Sequence, residues 1–228
     1  MTKVLDKGEV ELLDYMGDDL EVANSARVSF GNRNKTFGPK DEKLIKYLMG
    51  HHHTSPMRHC QLKFRMKLPI FVLRQLQKQR VGVQLSENML GEINEISGRY
   101  VNLGNVEFYI PKEFRKQSEN NKQASEGLIK NQNEAWNLYT EAISQSLETY
   151  NKMIDLGVCR EQARCVLPVS MYTEIQWTVS LQAALFFVNL RDSDDAQKET
   201  REYAKVVRAI LEEKFPITTK YYFEAKNV

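Results

Sequence analysis

An eight-residue alternation of apolar and polar side chains constrains the fold of this 228-residue chain more than any other feature. Between residues 61 and 68, Leu, Phe, Met and Leu occupy every second position, and Gln, Lys, Arg and Lys occupy the others. A period of two with one wet face predicts a strand whose apolar side covers a core. Pro69 follows, and proline at a first helical turn predicts a new helix through Leu76.

Helical periodicity accounts for most of the remaining apolar residues. The other predicted elements are a strand at 9–13, a short helix to Ala26, a helix ending at Gly50, a long helix over 128–154 that stops at Gly157, and a last helix over 194–214. The polar segment 116–125 predicts a surface loop or a frayed helix start. These elements predict an α+β fold with long helices and a small antiparallel sheet, in a single domain over residues 1–228.

Composition excludes several classes of protein. Lys plus Arg total 32 and Asp plus Glu total 30, so the net charge of +2 gives no bulk attraction for nucleic acid. No apolar run approaches the roughly 18 residues that span a bilayer, and the first residues lack the apolar core of a signal peptide. Three cysteines without a Cys-x-x-Cys pair indicate reduced thiols. We therefore expect a cytoplasmic protein that binds neither nucleic acid nor membrane.

Histidine and cysteine offer no clear catalytic or metal pattern. All four histidines lie between residues 51 and 59, in one loop before the predicted strand. Because no His-Glu-x-x-His or Cys/His spacing accompanies them, we predict a loop that faces ligand or solvent, and no metal site. The cysteines have no activating neighbour in the sequence and are interpreted as buried, inert thiols.

Residues 74–100 carry a more informative pattern, with basic residues and glutamines at 74–80 followed by Ser97, Gly98 and Arg99. An arginine fork, a serine hydroxyl and a glycine amide can together hold a phosphate. A solvated basic face leading into a turn explains the same residues. The residues alone leave both interpretations open.

Two further arginines adjoin apolar runs. Arg164 precedes Cys-Val-Leu-Pro, and Arg191 follows Phe-Phe-Val-Asn-Leu. A charge in such surroundings is costly unless it is paired or bound to an anionic ligand. The alternatives are therefore a structural ion pair and a contact with a phosphate or an ionised base.

A series of segments spread over most of the chain bears on whether these arginines are structural or bind a ligand. The segments are Ala-Arg-Val-Ser-Phe at 26–30, His-Thr-Ser-Pro at 53–56, the run 69–75, Glu-Ile-Ser-Gly-Arg-Tyr at 95–100, Phe-Tyr-Ile-Pro at 108–111, the run 160–168 and Asn-Leu-Arg at 189–191. With this series the chain resembles the flavin-dependent thymidylate synthases along nearly its whole length. The resemblance implies a homotetramer with active sites between subunits, which transfers a one-carbon unit from methylenetetrahydrofolate to C5 of dUMP. It also implies that FAD, reduced by NADPH, supplies a hydride, and that no nucleophilic cysteine is needed.

The resemblance assigns roles to individual residues. Arg191 matches the catalytic arginine that stabilises the ionised uracil ring. The positions that match nucleotide-binding residues are Gln75, Lys78, Glu95, Ser97, Gly98, Arg99, Arg164 and Arg191, with the serine and arginines near the phosphate. The positions that match cofactor-binding residues are His53, Ser55, Lys78, Gln79, Arg80, Glu95, Ser180 and Gln182.

The chain departs from the family pattern in its signature segment. The family reads Arg-His-Arg, seven residues and then Ser-x-Arg. Here Lys-Gln-Arg at 78–80 is followed by sixteen residues before Ser97, which is an insertion of nine within 83–92.

Further departures fall in the flavin half of the resemblance. The family commonly presents other polar residues where this chain has Ser180, Gln182 and Phe186. Arg58 stands where an acidic residue is usual, and Asp195 where a histidine is common. These departures predict that the nucleotide pocket is retained and that flavin binding is altered.

Three functions follow from this asymmetry. The leading hypothesis is an FAD-dependent thymidylate synthase that converts dUMP to dTMP. The second is a dUMP or dCMP hydroxymethyltransferase, in which water quenches the methylene intermediate and no hydride is needed. The third is a non-catalytic paralogue that binds a pyrimidine nucleotide without turnover.

Overall fold

A computed structural model describes residues 1–78 and 93–226. The strands in this part of the chain are β1 (Thr2–Val4), β2 (Gly8–Met16), β3 (Gln61–Pro69), β4 (Ile93–Glu95), β5 (Arg115–Gln117), β6 (Ser125–Leu128) and β7 (Tyr172–Ser180). The helices are α1 (Asp19–Arg27), α2 (Pro39–Gly50), α3 (Ile70–Leu76), α4 (Gln132–Asp155), α5 (Arg160–Ala163), α6 (Leu181–Arg191), α7 (Lys198–Lys214) and α8 (Pro216–Lys226). Short 3₁₀ turns span Val28–Phe30, Ser55–His59 and Arg164–Val166.

The predicted α+β class is confirmed, with an antiparallel sheet in the order β1-β2-β3-β7-β4 at its centre. The alternation at 61–68 forms β3 as predicted: its four apolar side chains are fully buried, while Arg65 on the opposite face pairs with Glu174 at 2.8 Å. The strand over 9–13, the helix that reaches Ala26, the helix that ends at Gly50 and the helix after Pro69 are also confirmed.

Aromatic and aliphatic side chains join the apolar face of the sheet to the helices that cover it. Trp177 on β7 stacks on Phe64 of β3, with ring centroids 5.6 Å apart, and meets Phe187 of α6 edge-on at 5.9 Å. Because α6 is buried on nearly every side, its sequence is apolar almost throughout and shows no polar stripe. The helix therefore runs through the core.

Three predicted elements differ in the structure. The segment 116–125 contains the predicted loop, over 118–124, but not a helix start: the loop joins β5 to β6 in a hairpin, in which Arg115 pairs with Leu128. The long helix consequently begins at Gln132 instead of 128. The last predicted helix begins at Lys198 instead of 194, and α8 follows it.

A contact between distant parts of the chain explains why α8 is not evident from local sequence. The Asp19 carboxylate accepts the backbone N–H groups of Ile217 at 2.9 Å and Thr218 at 2.8 Å. It thereby satisfies donors that the first turn of a helix leaves unpaired. Separately, none of the helices among residues 1–78 and 93–226 is long and apolar enough to cross a membrane.

Asp41 at the start of α2 joins α1 and the following loop to α2. Its carboxylate accepts hydrogen bonds from Arg27, from the Asn34 amide at 2.9 Å and from the Gly38 N–H at 2.7 Å. Burial opposes ionisation of Asp41, but these hydrogen bonds outweigh it and lower the pKa of the carboxyl. The ionised Asp41 carboxylate therefore stabilises the fold at a pH above the pKa of an aspartate in the unfolded chain, roughly 3.9. This contribution is lost as the pH falls through the lowered pKa of Asp41 in the folded protein.

We predict that Asp41→Asn lowers the free energy of unfolding by about 3 kcal/mol, because it leaves the half-buried Arg27 without its carboxylate. Urea denaturation at pH 7 measures the change. Glu148→Gln removes a carboxylate from an exposed ion pair on α4 and is the control expected to leave stability unchanged. Equal stability of the two variants would contradict this account.

Candidate active site

A cavity of about 600 Å³ opens at the end of the sheet where β3 finishes and β7 begins. Four of the residues predicted to bind a nucleotide line it: Glu95, Ser97, Gly98 and Arg164. They come from two separate parts of the chain, the turn after β4 and the 3₁₀ turn Arg164–Val166. The fold therefore brings together residues that are far apart in sequence.

The turn after β4 has a tight backbone that depends on Gly98. The carbonyl of Ser97 accepts the N–H groups of Tyr100 at 2.9 Å and Val101 at 3.0 Å. A Cβ at Gly98 would lie 2.7 Å from the side chain of Leu103 and 3.1 Å from Cδ of Arg164. Because no larger residue fits there without displacement, the glycine lets the turn approach the Arg164 side chain.

Two guanidinium groups at the cavity have no acidic partner in the described part of the chain. Arg164 and Arg74 both line it, and neither makes a hydrogen bond or ion pair within residues 1–78 and 93–226. The lysine at the cavity is different, since Lys67 pairs with Glu107, and this hydrogen bond lowers the pKa of the Glu107 carboxyl. Unpaired arginines beside a serine hydroxyl suit a bidentate anion such as a phosphate.

Glu95 at the end of β4 is held in place by a neighbouring strand. The Thr173 hydroxyl on β7 donates to Oε1 of Glu95 at 2.8 Å, and Thr173 itself is buried. One carboxylate oxygen is thus fixed inside the cavity while the group remains an acceptor.

Other predicted nucleotide residues lie beside the cavity without lining it. Arg99 is exposed and its Nε lies 3.5 Å from the Glu161 carboxylate. Gln75 on α3 donates to the side chain of Gln197 at 2.6 Å. Lys78 is the last residue before the gap in the description, and Gln79, Arg80 and the predicted insertion within 83–92 lie outside the described residues.

Arg191 ends α6 and is half-buried. Its Nε is shielded from solvent and has no hydrogen bond, and no ion pair involves its guanidinium in the described ranges. Helix α6 starts beside Cys60, at the far end of the β3–β7 pair, and runs back for eleven residues, roughly 16 Å. The segment after it meets Gln75, so Arg191 lies toward the end of the sheet that holds the cavity.

The histidine loop lies at the opposite end of the same strands. His53 and Ser55 are exposed, and neither side chain makes a hydrogen bond in the described part of the chain. The His53 ring lies edge-on to Tyr47 with centroids 6.0 Å apart, and Tyr47 also stacks on His51 at 4.0 Å. Across residues 1–78 and 93–226, no group of three His, Cys, Asp or Glu side chains is arranged to hold a metal.

Two predicted cofactor residues, Ser180 and Gln182, are buried at the start of α6. The Ser180 hydroxyl accepts the Ala183 N–H at 3.2 Å and so caps the helix. Nε of Arg58 donates to Oε1 of Gln182 at 2.7 Å, which ties the histidine loop to α6. Both side chains therefore have structural partners within the chain.

The cysteines differ from one another in exposure. Cys60 is buried as predicted, and burial raises the pKa of its thiol to about 12. The expectation of buried thiols is wrong for Cys159 and Cys165, which are exposed, because they flank the short helix α5 at the surface. Cys165 also lines the cavity, beside Arg164.

Sequence reasoning did not select several residues of the cavity. Arg74 belonged to the basic segment but not to the predicted binding set, and Thr173 and Lys67 were not selected as site residues. The β3 alternation places Lys67 on the wet face, so this signal was available. The position of Thr173 depends on β7, which the sequence analysis did not predict.

Known proteins resemble the chain over most of its length. The family described as "Thymidylate synthase complementing protein" matches residues 11–217. A flavin-dependent thymidylate synthase of Thermus thermophilus is 44% identical over 214 residues, 94% of this chain and 75% of that protein. The one from Kosmotoga olearia is 41% identical over 218 residues, 95% of this chain and 90% of that protein.

A solved structure supports the same relationship. The UMP/dUMP methylase PolB from Streptomyces cacaoi, bound with 5-Br dUMP, superposes with a TM-score of 0.81 at 28% identity. The match covers 98% of this chain and 97% of that one. The chain therefore belongs to the flavin-dependent thymidylate synthase family, as the series of sequence segments predicted.

Proposed function

We propose that this chain converts dUMP to dTMP, with methylenetetrahydrofolate as the one-carbon donor and flavin, reduced by NADPH, as the hydride donor. Membership of the family makes the chain a one-carbon methyltransferase. The observation that carries the substrate assignment is the cavity, which is lined by Ser97, by the Gly98 turn and by two arginines that have no ion pair among the described residues.

The residues of the cavity support the proposal that it binds the phosphate of a nucleotide. Arg164, Arg74 and Ser97 line the same cavity, and neither arginine is paired with a carboxylate within residues 1–78 and 93–226. Glu95, fixed by Thr173, supplies an acceptor for a nucleotide hydroxyl or N–H. Gln75, Lys78 and Arg99 lie at the rim and extend the binding surface.

Arg191 is the residue we assign to the chemistry. Attack of C5 on a one-carbon donor requires electron density on the uracil ring, and ionising the ring supplies it. The Arg191 guanidinium is half-buried and has no ion pair among the described residues, so it is available to stabilise negative charge that develops beside it. The assignment requires no thiol nucleophile.

The exposed histidine loop fits a contact with flavin, because His53 and Ser55 present unused hydrogen-bonding groups at the surface. When bound, reduced flavin supplies the hydride that completes the methyl group. Glu95 and the segment 78–80 are the other residues proposed to reach it. The burial of Ser180 and Gln182 favours a supporting role, in which Gln182 holds the loop through Arg58.

The positions of the two half-sites support an oligomer with sites between subunits. Seven residues along β7 separate Thr173 at the cavity from Ser180 near the histidine loop, which is roughly 23 Å of strand. One chain therefore carries the nucleotide half and the loop half at opposite ends of its sheet. Among the 24 residues of α4 only Tyr150 is buried, while Trp136 and Leu138 are exposed. This apolar surface suits contacts between copies, and we propose a homotetramer.

We predict that purified protein incubated with dUMP, methylenetetrahydrofolate, FAD and NADPH produces dTMP. A visible spectrum taken in parallel should show bound flavin that bleaches with NADPH. Hydroxymethylated nucleotide without flavin dependence would instead establish the hydroxymethyltransferase. Binding of dUMP without any product would establish the non-catalytic paralogue.

We predict that Arg164→Ala raises the dUMP Kd by roughly tenfold to a hundredfold, because a charged hydrogen bond to phosphate contributes about 1.5–3 kcal/mol. Isothermal titration calorimetry with dUMP and with deoxyuridine, which lacks the phosphate, distinguishes a contact with the phosphate from a contact with the rest of the nucleotide. Arg33→Ala, which alters an exposed arginine on another loop, is the matched control. An equal loss of affinity for both ligands would contradict a phosphate contact.

A further inference from the structure

Arg191 remains unpaired although acidic residues follow it closely in the chain. Asp192, Asp194 and Asp195 come within four residues, yet none forms an ion pair with Arg191 in the described structure. An unpaired, half-buried cation is costly, and a neighbouring carboxylate would ordinarily neutralise it. Some feature of the fold must therefore prevent these three carboxylates from pairing with the Arg191 guanidinium.

Each of the three carboxylates is engaged by another residue. Asp192 accepts from Arg208 at 3.0 Å. Asp194 accepts from Arg201 at 3.1 Å. Asp195 accepts from the Asn121 amide of the β5–β6 hairpin at 3.0 Å. The three carboxylates after α6 are thus occupied by partners on α7 and on the hairpin.

Asp192 is the carboxylate that matters most for Arg191. It directly follows Arg191, and consecutive Cα atoms lie only about 3.8 Å apart. Its side chain is 14% exposed, whereas that of Asp194 is fully exposed, so solvent screens the charge of Asp192 less. Asp192 is also the nearest acidic residue to Arg191 in the sequence.

Two further contacts orient the Arg208 side chain toward Asp192. Its Nε donates to Glu212 one turn further along α7 at 2.9 Å. Its guanidinium also lies over the ring of Phe223 on α8, 4.6 Å from the centroid. These contacts fix the Arg208 fork, so that Nη1 meets Asp192.

We propose that Arg208 is a positioning residue that holds Asp192 away from Arg191 and so keeps the Arg191 guanidinium free for the ionised uracil ring. The proposal rests on the proposed function, because it assumes that Arg191 binds the substrate. Arg208 acts through Asp192 and does not touch the nucleotide.

The test compares dUMP affinity and turnover in a small set of variants of the full chain. Arg208→Ala frees Asp192, and we expect the dUMP Kd to rise and kcat/KM to fall by roughly tenfold, about 1.4 kcal/mol. Asp192→Asn/Arg208→Ala removes the freed charge, and we expect both values to return to within about threefold of the starting protein. Arg208→Lys retains a cation and should lie between the two.

Control variants separate this effect from a structural role. Lys205→Ala removes a cation from the same helix, where the partner is Glu202, and should change neither value. Arg208→Ala and the double variant both lose the contacts with Glu212 and Phe223. Recovery in the double variant therefore assigns the loss to the Asp192 charge, and absence of recovery would overturn the proposal.

Arg191→Ala distinguishes failure of this proposal from failure of the proposed function. If Arg191→Ala leaves dUMP affinity and turnover unchanged, the assignment of Arg191 to the substrate falls, and the role of Arg208 falls with it. If Arg191→Ala is impaired while Arg208→Ala behaves as the starting protein, only the role of Arg208 is refuted.

Discussion

The antiparallel pairing of β3 with β7 is the constraint on which the site depends. Its register runs without interruption from Gln61 opposite Ser180 to Pro69 opposite Tyr172. Each strand leads directly into a helix, β3 into α3 and β7 into α6, so the register decides where both helices begin. A slip of one residue would turn the buried apolar face of β3 toward solvent, and the packing of Phe64 on Trp177 opposes such a slip.

The same register places the cavity and the histidine loop at opposite ends of one small sheet. At the Pro69 end, turns and helices form the cavity, which is lined by Arg74, Ser97 and Arg164. The opposite end carries the histidine loop, which Arg58 ties to the start of α6. Helix α6 then runs back toward the cavity end and finishes at Arg191. The carboxylates that follow Arg191 accept hydrogen bonds from α7 and from the hairpin.

Local sequence predicted the elements that local physics determines. The alternation in β3, the proline before α3 and the glycine that ends α2 act within a few residues, and all were confirmed. Elements set by distant partners were missed: α8 is capped by Asp19 from 199 positions away, and the β5–β6 hairpin is anchored to α7 by Arg115 and Glu199. Four residues selected by the resemblance line the cavity, but only the three-dimensional structure shows that Arg191 has no ion pair among the described residues.

The central claim, that half-sites at opposite ends of each sheet are completed by different copies, is tested most directly by mixing two impaired variants. One variant carries Arg164→Ala, and the other carries His53→Ala/Ser55→Ala. Mixed oligomers formed by co-expression are predicted to regain roughly a quarter of the original activity, since random pairing restores both intact halves at that fraction of sites. Activity no higher than the mean of the two separate variants would contradict the claim, because a site built within one chain is not repaired by mixing.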